Sequence, residues 1–203
     1  MTKKKTSALK KKKTFSNKIT KILDQAKIKY KILEHKVVYT AHDAAQTTKK
    51  KLGEIAKVVL VRVEGGAPGV IASPGKTGEA ILSSKRGKIA SAALAMTRKN
   101  YFALIVLPAG KYVDFNGIKK ALKAKKVSMA SEKDITKYLK TKVGLLHPFG
   151  SEYNMKTLLD KGMSRVKKMM VSAGTYTESV ELALKDFEKL IKPVKGAFSK
   201  QKK

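Results

Sequence analysis

The 203-residue chain carries 46 Lys and Arg against 15 Asp and Glu, a formal net charge of +31, with 42% apolar residues and no cysteine. The apolar share supports one ordinary globular core, and the lack of cysteine excludes disulfides and thiolate-bound zinc. No apolar run reaches the ~18 residues of a membrane span, and the basic start lacks the apolar stretch of an export signal, so a cytoplasmic protein is expected.

Residues 1–17 read as a disordered lysine-rich arm without hydrophobic period. A helix is expected from Ser16, with Ile19, Ile22, Leu23 and Ala26 on one face. A short strand follows from Tyr30 to His35, and Tyr39 to Ala45 reads as a strand end turning into a helix that Thr40 caps. Residues 55–63 form a β-rich run. Residues 64–100 hold eight Gly and Pro between Gly65 and Gly87 and then an alanine-rich piece, which predicts an extended hairpin or insertion. Tyr101 to Leu107 is uniformly apolar, as a strand buried on both faces would be.

Helix signals return at Phe115–Leu122 and at Ser131–Leu139, where Ser131 and Asp134 form a variant capping box. Met169–Ser172 reads as a strand before a glycine turn, Val180–Leu184 precedes a helix reaching Ile191, and Pro193 stops that helix. Residues 194–203 are expected to be a basic tail. The predicted class is α/β (α+β) with a mixed or mostly antiparallel sheet, because helices and strands do not alternate strictly.

Several chemistries fail on spacing. Gly75-Lys76-Thr77 resembles the end of a phosphate loop, but Val70 stands where its first glycine belongs. His35, His42 and His147 match no metal-ligand pattern, so a metal site is not expected. No Gly-x-Ser-x-Gly elbow is present. Two features remain. Lys57 interrupts an apolar strand and by alternation shares a face with Ile55 and Val59. It either lines a polar pocket or snorkels to solvent from a sheet edge. The segment Gly144-Leu145-Leu146-His147-Pro148-Phe149-Gly150 brackets a short apolar loop with glycines. It is either a tight connection or a loop offering backbone N–H groups to a developing oxyanion.

Four segments in order resemble the YbaK/ProX family of aminoacyl-tRNA deacylases. They are Tyr39-Thr40-Ala41 with Asp43-Ala44-Ala45, then Ala56-Lys57-Val58-Val59-Leu60-Val61, the Gly144–Gly150 loop, and Ala173-Gly174-Thr175 with Glu178 and Asp186-Phe187. Together they span residues 18–193. The resemblance implies a curved mixed sheet around a single pocket, and hydrolysis of the ester joining a wrong amino acid to the tRNA 3′ end, with no cofactor. It implies catalytic roles for Lys57 and the Gly144 backbone, and His147 is counted with them as a catalytic candidate that would line the pocket. Tyr39, Thr40, Val58, Leu145, Leu146, Pro148, Gly150, Ser172 and Gly174 are the implied substrate contacts. The position after the lysine is often small and polar in the family and is Val58 here.

The lysine excess fits a phosphate backbone better than base reading, since arginine occurs only at positions 62, 86, 98 and 165. The twelve lysines in residues 1–17 and 192–203 face no acid there, so subtracting them from +31 leaves +19 on the body. A generally lysine-rich proteome would give the same imbalance. Lys49, Lys50, Lys51, Lys119, Lys120, Lys125 and Lys126 are the candidate RNA-backbone contacts, with solvated helix faces as the alternative. The expected partners are mischarged tRNA and an aminoacyl-tRNA synthetase, with no membrane. The rival function is a non-catalytic RNA-binding module or synthetase-associated factor on the same fold.

Overall fold

The computed structural model describes residues 16–65 and 100–201. The expected hairpin or insertion at 64–100 and the arm before Ser16 lie largely outside these residues.

The main sheet has five strands in the order β5-β2-β3-β6-β9. β2 (Ala56–Glu64) pairs antiparallel with β3 (Asn100–Pro108), Lys57 lying opposite Leu107, and with β5 (Lys126–Met129). β3 runs parallel to β6 (Lys156–Asp160), and β6 parallel to β9 (Val194–Gly196). A mixed sheet follows. A second, antiparallel sheet joins β1 (Tyr30–Glu34), β8 (Glu178–Ala183) and β7 (Lys168–Ser172). An isolated bridge between Ile55 and Met170 ties the two sheets at the start of β2.

The packing explains the apolar run of β3. Ala103, Ile105 and Leu107 face α3 (Phe115–Ala121) and Phe198, together with Val61 and Val63 of β2. Leu104, with Leu60, faces Ile135, Leu139, Leu146 and Met155 on the other side. Both faces are thus covered, which removes the alternation a half-exposed strand would show. A third cluster seats Ile19 and Leu23 of α1 (Ser16–Gln25) and Phe187 of α5 (Leu184–Ile191) against Val106, Leu159 and the inner face of β7 and β8.

Local signals hold where they were strongest. Thr40 caps α2 (Ala41–Thr48) in a full capping box with Asp43. Ser131 and Asp134 form the second box over α4 (Glu132–Asp134). There the helix continues only as a π-helical turn, Ile135–Leu139, ending at left-handed Lys140. Val180 belongs to β8, and the helix begins at Leu184.

The C-terminal boundary is corrected. Residues 194–200 are not a tail: β9 extends the main sheet, and β10 (Ser199–Lys200) pairs with β4 (Tyr112–Val113). Phe198 between them is 0% exposed, and its N–H donates to Asp160 Oδ2 at 2.6 Å. One aromatic anchor and one buried carboxylate outweigh the local lysine charge. At the other end, helix α1 already begins at Ser16, inside the segment 1–17 expected to be disordered.

Candidate functional site

A cavity of about 90 Å³ opens between the two sheets at the start of β2. The segment 35–40 forms one wall. His35 N–H donates to Thr177 O and Val38 N–H to Tyr176 O, each at 2.9 Å, so this strap lies along the turn between β7 and β8. Its Tyr39 is 66% exposed, with its ring 5.0 Å from that of Tyr176 at the mouth. Thr40 and Ala44 bring in the first turns of α2, and Ile55 to Val58 form the floor.

Lys57 is half-buried and lines this cavity. Its ammonium donates to the carbonyl of Lys111 at 2.5 Å and sits 5.2 Å from the centre of the Tyr112 ring. Burial pushes its pKa below the usual lysine value. Of its two expected face-mates, Val59 packs on the α3 side, whereas Ile55 joins Ala44, Ala45 and Met170. Ile55 precedes the strand, so alternation does not reach it. Val58, on the opposite face from Lys57, lines the cavity and packs with Leu60.

The Gly144 loop closes the far wall. Gly144 has φ +86°, and a Cβ there would stand 2.8 Å from Tyr39 O, so the loop meets the strap at a point only glycine fits. Gly144 and Leu146 line the cavity. Among the described residues their N–H groups donate to no protein acceptor. Such a pair of free amides at a wall is suited to an oxyanion.

The remaining loop residues turn away. Leu145 is not among the lining residues, and its N–H donates to Lys142 O at 3.1 Å. His147 is 1% exposed and also lies outside the lining. Its Nε2 meets the Tyr153 hydroxyl at 2.7 Å, and the two rings stack at 4.6 Å. Burial first, with the Lys18 charge adding to it, pushes its pKa down to about 4, so it is neutral near pH 7. The Pro148 carbonyl accepts from Thr157 Oγ1 at 3.2 Å. A Cβ on Gly150 would reach Met155 O and Thr157 Oγ1, both at 2.4 Å. His147, Pro148 and Gly150 therefore build the loop's underside, and the cavity does not meet them.

From β7 and its turn, Ser172 and Thr175 line the cavity, while Gly174, at φ +83°, shapes the turn and donates its N–H to Ser172 Oγ at 3.1 Å.

Two polar residues were missed by the sequence reading. His35 and Ser179 both line the cavity. His35 Nδ1 is 2.9 Å from Lys36 O and Nε2 is 2.9 Å from Ser179 Oγ. A carbonyl only accepts, so Nδ1 carries a proton, and in the neutral ring Nε2 accepts from the serine. Ser179 is 4% exposed and pairs in register with Ser172. Two serines flanking a glycine turn were the available signal, but the His35 bond spans 144 residues, beyond any local pattern.

The seven candidate RNA-contacting lysines are dispersed. Lys50 is ion-paired with Glu181, whose carboxyl that contact holds below the usual carboxylate range, while Lys49 and Lys51 are exposed around it. Lys119, Lys120, Lys125 and Lys126 are exposed, but Lys126 lies opposite Glu64, at the far end of β2 from Ala56. At ~3.3 Å per residue that is about 26 Å from Ala56 in the cavity floor. No group of three metal-ligating side chains occurs among the described residues. Nor does any helix among them have the length and apolarity to cross a membrane.

Residues 35–190 match the model of the aminoacyl-tRNA editing domain. The prolyl-tRNA editing protein ProX of Acetoanaerobium sticklandii is 24% identical over 174 residues, 84% of this chain and 86% of that one. The fold is shared with the crystal structure of a hypothetical protein (TM-score 0.68, 16% identity, 90% of this chain and 99% of that one). It is shared as well with a protein proposed as a trans-editing enzyme for prolyl tRNA synthetase (TM-score 0.65, 13% identity, 95% and 99%).

Proposed function

Because this chain belongs to the aminoacyl-tRNA editing domain family, we propose that it deacylates mischarged tRNA. The observation that carries this reading is the cavity walled by the Lys57 stem on one side and the free amides of Gly144 and Leu146 on the other. In this reading the aminoacyl ester enters past Tyr39, whose exposed ring offers the terminal adenine a stacking surface. A water adds to the ester carbonyl, the carbonyl oxygen becomes an oxyanion, and the loop amides stabilise it. The bond from carbonyl carbon to ribose oxygen then breaks, and the water's proton passes to that oxygen. Free amino acid and tRNA with an intact 3′ terminus result.

Among the described residues no carboxylate lines the cavity, and the family resemblance assigns the neighbouring ribose hydroxyl of the substrate to orient the water. Lys57 supplies positive charge at the rim for the carbonyl or the terminal phosphate. The apolar side chains Ile55, Val58, Leu146 and Met170 around this small cavity favour a small amino acid. Ser179, whose proton is committed to His35, presents lone pairs to the substrate's ammonium group. The test is deacylation of tRNAs bearing non-cognate small amino acids, beginning with alanine and cysteine on proline tRNA. Hydrolysis of at least one is expected. Intact ester across the panel, with tight salt-sensitive tRNA binding, would instead support a non-catalytic binding module.

A further inference from the structure

Beside the ester cavity lies a second cleft that the deacylation scheme does not use. Its lining includes Gly53, Pro108, Lys111, Lys161, Gly162 and Arg165. β3 and β6 run parallel, so their carboxyl ends open on the same edge. The turn after β3 there supplies Lys111, and the 3₁₀ turn Lys161–Arg165 after β6 supplies the other two cations. Such an edge, where loops leave the ends of parallel strands, commonly receives ligands.

The charge of this cleft is not neutralised. Lys161 and Arg165 are exposed and Lys111 is partly so. None of the three makes an ion pair among the described residues. The acid in the lining, Asp160, is 2% exposed and turned inward. Its Oδ1 accepts from Gly162 N–H at 2.7 Å and Ser199 Oγ at 2.9 Å, and its Oδ2 from Phe198 N–H at 2.6 Å. Three cations therefore face solvent while the carboxylate is held by the fold.

The two clefts share a wall. Ala56 of the cavity is in register with Pro108 of the cleft, on strands ~4.8 Å apart. Lys57, which lines the cavity, hydrogen-bonds the backbone of Lys111, which lines the cleft. A polymer whose end sits in the cavity and which leaves over Lys57 meets Lys111 next, then Lys161 and Arg165.

We propose that this cleft holds the phosphodiester backbone of the single-stranded 3′ end of the RNA whose terminal ester enters the cavity. The assignment rests on the deacylase reading above. Arg165 can grip phosphate oxygens with its planar fork, and the lysines act as point charges. Backbone contact of this kind positions the strand without reading its bases. Lys126 of β5, opposite Glu64 at the far end of β2, is too remote to hold the same nucleotides.

The experiment measures the salt dependence of binding of uncharged tRNA, and of the same tRNA lacking its four 3′ nucleotides. Wild type is compared with Lys111→Gln/Lys161→Gln/Arg165→Gln and with Lys119→Gln/Lys120→Gln/Lys123→Gln, which removes equal charge from α3 and the turn after it. Each neutralised phosphate on a single strand contributes about 0.7 to the log–log slope, so the first variant should lose about 2 from it. That corresponds to about hundredfold weaker binding at 0.1 M salt and none at 1 M. With the truncated tRNA the first variant should bind as wild type does. Equal losses in both variants, a loss that persists with truncated tRNA, or no loss in the first variant would overturn the proposal. Thermal melting confirms that each variant is folded. Binding requires no hydrolysis, so inactivity toward every mischarged tRNA would count against the deacylase reading and leave this map of contacts to be judged separately.

Discussion

Gly144 is the residue at which backbone geometry and proposed chemistry meet most closely. Its φ of +86° and the 2.8 Å that a Cβ would leave to Tyr39 O mean that Gly144→Ala must either strain the loop or push the strap outward. We expect a loss of about 1–3 kcal/mol in stability from the conformation and a larger fall in deacylation than in tRNA binding, because the free amides move. Denaturant titration and kinetics on one preparation check both. His147 makes a separate prediction, about stability. In the folded chain its pKa is about 4 against an ordinary 6.5. Between those values the unfolded chain binds the extra proton, so stability is full above about pH 6.5 and falls as pH drops toward 4, by about 3 kcal/mol. In His147→Gln the acid loss should shrink by about that amount; an unchanged pH profile would contradict the assignment. Lys57 and Gly144 were legible because each breaks its local pattern, a charge in an apolar strand and a glycine before two leucines. His35 and Ser179 were not, because their pairing depends on how β1 and β8 come into register.

The elements that sequence missed share a cause. β6, Lys156–Asp160, is only five residues long with charged ends, and its strand character comes from lying parallel to buried β3. β9 and β10 sit in a lysine-rich stretch and are held by contacts distant in sequence. Asp160 accepts from both Phe198 N–H and Ser199 Oγ, and Asp114 N–H donates to Phe198 O at 2.8 Å. Phe198→Ala is therefore expected to cost about 3–5 kcal/mol, the range for a fully buried aromatic. An exposed tail residue would show almost none, so a melt of this variant decides between the two descriptions. The Thr40 cap and the Ser131 capping box, by contrast, need only residues close in sequence and were readable directly.

At the scale of the molecule, the +31 charge and the editing-domain family point to the same polyanionic partner. Charge alone did not locate the contact surface, because lysine is spread over the chain and only the fold separates the cleft beside the cavity from the far end of β2. The central claim is that the cavity hydrolyses a mischarged ester with Lys57 at its rim. The measurement that tests it most directly is deacylation of the alanine- and cysteine-charged proline tRNA panel by wild type and by Lys57→Ala, both shown to be folded by melting. The account predicts turnover of at least one substrate, reduced on the order of 10²–10³-fold in the variant, the range seen when a group stabilising an oxyanion is removed. Turnover that survives Lys57→Ala unchanged would contradict it.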